Sequence, residues 1–546
     1  MKIQKLEKGY CLIYRESLVG PMAGWAEDLV KEAKKLKNFG ILSALILGPD
    51  GKIFWHGGSV LPNNLVPFGY HANEEYYGQR PGTRECDVVP FFCAVISEEL
   101  LNKFKADDIL EDDIFEAANY CLQAIANGYK VYATDKVVVK NVVKPITQKR
   151  ALRYQKQFYI SRSSFANRWG DIIKKRAVLP VCYHTGIGAP TGFAGAARGY
   201  IKGLSELGIK VFYKYLFGDP LTEKLSEDEF VNEVFEEEPD MQMPQVIWAQ
   251  APYFFKNSGK YKIGHCEFEG DEWPDSWVKQ CNMMNEIWVP TKWDRNKAIK
   301  AGVNVPIHII YQGIDPDYFH PNIAPMQSEV PQKFKFIVNA AWLERKNLSN
   351  LIRVFCATFK SYDDVCLIIK TMNVGLVDSI EKEIKKLRVG KDTGWVYVRE
   401  ENLPYHQLAS FYRMGDCFVL PTHGEAWGLP IFEALACGIP VITTAYGAPN
   451  EVLRDENKKP FPGVHFLDYN LGFARDKYHY LDGKKWASPN LIQLGDKMKD
   501  MWKNGAKYKE EALIGSQMVR DKFNWIEVCK PIAERLQDIY QNKMNN

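Results

Sequence analysis

The chain has 546 residues, 46 % apolar and 25 % charged, with 70 basic against 67 acidic side chains and a formal net charge of +3. That balance excludes a disordered chain and gives bulk electrostatics no reason to seek nucleic acid, while the length calls for about three domains. There is no apolar run long enough to span a membrane, no signal-peptide pattern, and no C-x-x-C pair among 12 cysteines, so a cytoplasmic enzyme with reduced, buried thiols is expected.

Residues 1–143 read as an α+β unit. "ILSALILGPDGKIFWHGG" predicts two strands around a Pro49-Asp50-Gly51 turn. An irregular stretch rich in Gly, Pro, Asn and Tyr follows, then a helix, "IFEAANYCLQAIANG", and a strand, "YKVYATDKVVV". These segments, with "LIYRESLVGPMAGWAEDLVKEAKKLKNFG" before them, are similar to the acceptor half of family 2 glycosyltransferases, which implies a GT-A-like fragment lacking its nucleotide-binding half. The family's D-x-D position falls at "YRES", and its E-D-x-D segment reads Glu116-Ala117-Ala118-Asn119. With both carboxylate pairs damaged, the resemblance implies an inactive remnant serving docking or stability, alternatively an acceptor platform. Glu111, Asp112 and Asp113 read as solvated acids.

Residues 144–176 hold ten Lys/Arg against one acid, Asp171. The simple reading is a solvated basic linker; the sharper one is a docking surface for anionic lipid or polymer at the inner face of a membrane. The acidic block 223–240 reads as a solvated loop.

From residue 177 short apolar runs alternate with amphipathic helical segments. "VLPVCYH", "IKVFYKYL", "PQVIWAQ", "YKIGHCEF" and "EIWVPT" predict strands of a parallel sheet. After the proline-bearing connection "NIAPMQSEVPQK" the rhythm restarts, with "FKFIVNAAW", "VCLIIKT", "GWVYVRE", "CFVLPT" and "PVITT". The fold class expected is α/β, with Rossmann-like domains over 177–320 and 321–515 and a crossover helix within 516–546.

The chemistry concentrates in "HGEAWGLPIFEALACGIPVITT", residues 423–444. "CFVLPT" is a strand, Pro430 opens a helix and Gly438 ends it. Glu425 then lies beyond the carboxyl end of a strand and Glu433 one turn into the helix, in the crevice where open α/β sheets bind ligands. Amides around Gly428, Leu429 and Ile431, at the positive end of the helix, suit a diphosphate. Carboxylates beside such a site make sense as acceptors for hydroxyl groups. Together they point to a nucleotide sugar.

This Glu-x7-Glu segment, with "ALACGIPVITT" and "GAPNEVL" after it, resembles the corresponding region of family 4 retaining glycosyltransferases. The similarity runs over about 177–535 and takes in "TGFAGAARGYIKGLSELGIKV", "YKIGHCEFEGDEWPDSWVKQCNMMNEIWVPTKWDRN", "YQGIDPDYFHP" and "WLERKN" in the expected order. It implies the two-Rossmann GT-B fold and retaining, metal-independent transfer from a UDP- or GDP-linked sugar. The acceptor side stays open among glycan, lipid-linked and other acceptors. The donor sugar would be held by Glu425, the ribose by Glu433, the sugar and phosphate by amides near Gly428 and Leu429, and the diphosphate by Arg345 and Lys346. Where many members have Gly-Arg, this sequence has Ala340-Ala341-Trp342, which removes one cation of the usual pair. Thr191 and Gly192 are the candidates in the glycine loop near the donor phosphate. In "HCEFEGDEWP", Glu269 best matches the acceptor-facing position, with His265 and Glu267 competing. Asp315-Pro316-Asp317 reads as a turn, not a metal site. The competing functions are a nucleotide-sugar epimerase on the same scaffold, an inactive binding or scaffold protein, and nucleic-acid attachment through 144–176.

Overall fold

In "FGILSALIL" nearly every side chain is apolar, and this strand, Phe39–Leu47, is buried on both faces at the centre of a mixed sheet. The computed structural model describes residues 2–14, 18–19, 24–60, 65–69, 72, 75–76, 78, 81–103, 113–141, 148–176, 179–189, 191–218, 242–328, 330–372, 377–388, 392–475, 481 and 483–544. They fall into two units, Met1–Val178 and Leu179–Asn546. All 12 cysteines are buried. Among the described residues no helix is long and apolar enough to cross a membrane.

In the first unit, Phe39–Leu47 pairs in parallel with Lys130–Asn141 and antiparallel with Cys93–Ser97. The Pro-Asp-Gly turn returns the chain to Ile53–Trp55, antiparallel to Phe39–Leu47. Asp113–Ala126 forms the expected helix. Glu111, Asp112, Arg15, Glu16 and Ser17 lie outside the described residues, as does the acidic block 223–240. Asn119, at a position where the family 2 pattern has an acid, is fully buried and accepts the indole N–H of Trp169 at 2.9 Å.

The basic stretch expected as a linker is instead the helix Gln148–Arg176. Phe165, Trp169 and Ile173, spaced by four, bury one face in the first unit's core, where Phe115 packs 5.4 Å from Phe165. The charge count hid this stripe, because a long helix can pair a basic outer face with an apolar inner one. Lys156 and Arg168 sit on exposed or partly exposed positions, so any docking role narrows to the outward face.

The second unit contains two six-stranded sheets in which every pairing is parallel. In spatial order the first runs Val211–Tyr215, Val181–Thr185, Pro244–Trp248, Tyr261–His265, Glu286–Val289, Ile307–Ile309. The second runs Trp395–Glu400, Val365–Thr371, Phe334–Asn339, Cys417–Leu420, Val441–Thr444, Val464–Leu467. In each, the strand order reverses beside the first strand in the chain, leaving a crevice at the carboxyl ends on either side of the reversal. An antiparallel hairpin, Tyr469–Phe473 with Lys485–Pro489, follows the second sheet and has no counterpart in the sequence reading.

The lobes carrying these sheets are joined at several points. Glu451 accepts from the amides of Lys292 and Trp293 at 2.9 and 2.7 Å, so a second-lobe carboxylate caps the first turn of a first-lobe helix, Lys292–Ala301. Asp271 of the first lobe takes the amide of Lys485 in the hairpin at 2.7 Å. The helix Gly505–Lys522 packs on the second lobe and ends at Phe523, the side chain of Asn524 caps the next helix, and that helix, Trp525–Asp538, crosses to the first lobe. There it meets the helix Gly192–Glu206 along Gly199 and Gly203, whose four-residue spacing makes a groove for Trp525. A Cβ on Gly199 would lie 1.9 Å from Trp525 Cε2.

Gly199→Ala therefore should force Trp525 out of its groove and lower stability by about 1–3 kcal/mol or more. Thermal unfolding measures it; an unchanged midpoint would show that the groove is not needed.

Candidate active site

The second sheet reverses order between Phe334–Asn339 and Cys417–Leu420, and the loops 340–347 and 421–428 leave the carboxyl ends of these two strands. Backbone contacts lock the loops together: His423 N donates to Arg345 O at 2.8 Å, and Asn347 Nδ2 donates to Pro421 O at 2.9 Å. Asn347 takes φ +60°, a left-handed conformation that asparagine tolerates, which ends one short turn and starts the next helix.

Lys346 Nζ donates to Glu425 Oε1 and Oε2 at 2.7 and 2.9 Å, and Arg345 Nη1 stands 3.3 Å from Oε2. Arg345 also donates to the Gly424 carbonyl at 2.5 Å and reaches Glu269 of the first lobe at 2.9 Å. Glu425 is 4 % exposed; burial pushes its pKa up, but Lys346 and Arg345 outweigh burial and hold it below the usual carboxylate range. The same burial lowers the pKa of Lys346, with Glu425 opposing. Space around Glu425 is tight, and glycine serves on both flanks. Gly447, at φ +76°, would put a Cβ 2.2 Å from the Glu425 carbonyl, and Gly424 would put one 2.7 Å from the Glu269 carbonyl.

Gly428, at φ +92°, is the left-handed residue preceding the helix Leu429–Ala436, and Leu429 is its first residue. Across from it begins the helix Gly192–Glu206: a Cβ on Gly192 would lie 3.5 Å from Leu429 Cδ1, so two helix N-termini meet beside the cluster. Thr191 spends its hydroxyl capping that helix, accepting from Ala194 N at 3.2 Å.

Three residues of "HCEFE" separate clearly. His265 ends a strand fully buried, ringed by Trp248 at 4.3 Å, Tyr200 at 5.1 Å and Trp288 at 5.7 Å, with neither ring nitrogen hydrogen-bonded. Burial lowers its pKa to about 3. His265 thus stands within an aromatic cage at the carboxyl end of its strand. Glu267 accepts from Gln312 Nε2 at 2.5 Å; burial first, then the charge of Glu269, raises its pKa to about 8, which keeps it protonated at neutral pH. Glu269 alone pairs with a cluster cation. Its loop is held by Lys297, which donates to the carbonyls of Phe268 and Gly270 at 2.8 and 2.7 Å while pairing with Asp294 at 3.0 Å.

Glu433 is 3 % exposed and accepts from Tyr412 Oη at 2.7 Å. Burial raises its pKa to about 7, with the Tyr412 hydrogen bond and the charge of Lys370 opposing. Asp315 and Asp317 form a turn, with Asp317 N donating to Asp315 Oδ1 at 2.9 Å. Among the described residues no group of His, Cys, Asp and Glu is arranged to hold a metal ion. Sequence reasoning missed Asn339, Tyr412, Gln312 and Gly447 as parts of this site. Gln312 and Gly447 stand inside "YQGIDPDYFHP" and "GAPNEVL", which gave them no individual role, and Asn339 and Tyr412 reach Glu433 only through contacts made in three dimensions.

Residues 323–470 match the family model described as glycosyl transferases group 1, so the C-terminal region of the chain carries a glycosyltransferase domain of that group. Sucrose synthase 1 of Tulipa gesneriana is 32 % identical over 119 residues, which is 22 % of this chain and 12 % of that protein. D-inositol 3-phosphate glycosyltransferase of Frankia alni is 42 % identical over 79 residues, 14 % of this chain and 17 % of that one. The chain thus spans less than a fifth of the length of either relative. Among solved structures, sucrose-phosphate synthase from Thermosynechococcus elongatus superimposes with a TM-score of 0.50 at 13 % identity, covering 66 % of this chain and 99 % of that one. That likeness concerns the fold, which is of the two-sheet GT-B type.

The raised pKa of Glu433 sets a pH test. Unfolded, the group ionises near 4.5; folded, near 7, so its burial costs nothing below pH 4.5 and costs most above pH 7. Glu433→Gln should match the wild type at pH 4.5 and become more stable as pH rises through 7, by on the order of 3 kcal/mol at full effect. Equal thermal midpoints across pH 4.5–8 would contradict the raised value.

Proposed function

We propose that the second unit is a retaining glycosyltransferase moving a sugar from a UDP- or GDP-linked donor to a glycan, a lipid-linked or another acceptor. One observation carries the reading: at the order reversal of a parallel sheet, two consecutive cations and a buried glutamate converge beside a pair of helix N-termini. An Arg-Lys pair there suits a diphosphate, and Glu425, now satisfied by Lys346, suits the hydroxyls of the sugar that the diphosphate carries. Glu433, eight residues on, suits the ribose.

In this mechanism the donor's diphosphate draws Arg345 and Lys346 toward its oxygens, and Glu425 turns to accept from sugar hydroxyls. The bond from the anomeric carbon to the diphosphate breaks, and its electron pair leaves with the nucleoside diphosphate. The acceptor oxygen bonds to the same face of that carbon and passes its proton to a departing phosphate oxygen, which retains the configuration. The two cations and the amides near Gly428 and Leu429 stabilise the charge growing on the leaving group, the part a metal plays in other transferases. Glu269, on the first lobe and paired with Arg345, suits contact with the acceptor.

Glu425→Gln should lower transfer at least about a hundredfold while the protein still binds UDP or GDP by calorimetric titration. Full activity of the variant would remove Glu425 from the reaction. Conversion of the donor sugar without any acceptor would instead favour an epimerase, and a wild type that binds neither nucleotide would favour a scaffold protein.

A further inference from the structure

Tyr412, from the helix Tyr405–Met414, is fully buried among Phe319 at 6.1 Å, Phe411 at 6.0 Å and Phe418 at 5.9 Å. Its hydroxyl lies between two partners: Asn339 Nδ2 donates to it at 2.9 Å, and it donates to Glu433 Oε2 at 2.7 Å. An amide N–H can only donate, so the tyrosine's single proton must point at the carboxylate. Three elements meet here, since Asn339 ends the strand beside the order reversal, Tyr412 sits on one helix and Glu433 on another. A carboxylate with one oxygen engaged by a buried, immobile phenol is held in one orientation, with Oε2 turned to the phenol and Oε1 the oxygen free of it.

We propose that Asn339 and Tyr412 are positioning residues for the donor, which occupy Oε2 of Glu433 and leave Oε1 as the single acceptor presented to the ribose. This rests on the nucleotide-sugar reading above and narrows it: the site reads one ribose hydroxyl, where a free carboxylate would grip the cis pair with both oxygens. Donor recognition in this chain therefore discriminates sharply against the deoxyribose lacking that hydroxyl and tolerates the one lacking its neighbour. Tyr412 touches Glu433 and acts on the donor only through it.

The test is titration calorimetry with whichever of UDP and GDP binds the wild type more tightly, and with the 2′-deoxy and 3′-deoxy forms of that nucleotide. The wild type should lose about tenfold in affinity for one deoxy form and less than twofold for the other. Tyr412→Phe preserves the ring and frees Oε2; it should weaken the parent nucleotide several-fold and shrink the gap between the two deoxy forms, because the carboxylate can then turn. Asn339→Ala, which removes only the outer donor, should move both readouts in the same direction by less. A purely structural role for Tyr412 would weaken all three ligands by one common factor and leave the gap intact, which would overturn the inference. So would a wild type that penalises both deoxy forms equally, a result obtainable even if the variants fail to fold. A wild type that binds neither UDP nor GDP would overturn the underlying reading instead.

Discussion

A negative charge held out of water at a sheet's order reversal is the constraint from which the rest of this lobe follows. Glu425 is buried, and removing a carboxylate from water costs several kcal/mol unless cations and hydrogen bonds replace the solvent. Lys346 and Arg345 supply them. To bring two consecutive residues of one loop onto a glutamate of another, the loops must leave adjacent strands at the same edge, which the 3-2-1-4-5-6 order of the second sheet provides. The glycines at 424 and 447 allow backbone to close around the acid, and Asn347 at φ +60° redirects the chain straight after the lysine. In the nucleotide-sugar reading proposed above, a diphosphate would replace Glu425 as the partner of these cations.

Communication between the lobes uses the same currency. Arg345 bridges Glu425 of its own lobe and Glu269 of the other. Glu451 caps a helix across the cleft, and the hairpin after the second sheet takes Asp271 by its amide while His423, next to the cluster, stacks on Trp486 of that hairpin at 4.5 Å. The crossover helix, seated in its glycine groove, adds a packed contact between the lobes. Apolar contacts join these charges and amides, since Leu481 and Trp486 belong to the buried cluster of Phe268, Trp273 and Trp277 in the first lobe, and Trp293 packs on Tyr446 at 5.1 Å.

Much of this was legible in the sequence wherever the signal was local. Parallel strands announced themselves as short apolar runs between amphipathic helices, and the Glu-x7-Glu segment could be placed at a strand end because Pro430 and Gly438 bracket its helix. Legibility failed where a side chain's fate depends on the register or on distant partners. His265, Glu267 and Glu269 lie within five residues, yet one is sealed among aromatic rings, one is a protonated acid beside Gln312, and one meets a cation across the lobes. The helix Gln148–Arg176 was hidden because its charges outnumber the few large apolar residues that bury its inner face. Asn339 and Tyr412 carry no motif at all; only the folded sheet brings them to Glu433.

The central claim is that Arg345 and Lys346 surrender Glu425 to hold a nucleoside diphosphate. A crystal structure of the chain with its preferred nucleotide bound measures this directly. The account predicts diphosphate oxygens within hydrogen-bond distance of both cations and of the amides near Gly428 and Leu429, with the ribose on Glu433. Nucleotide bound elsewhere, with the Lys346–Glu425 contacts still at their present lengths, would contradict it.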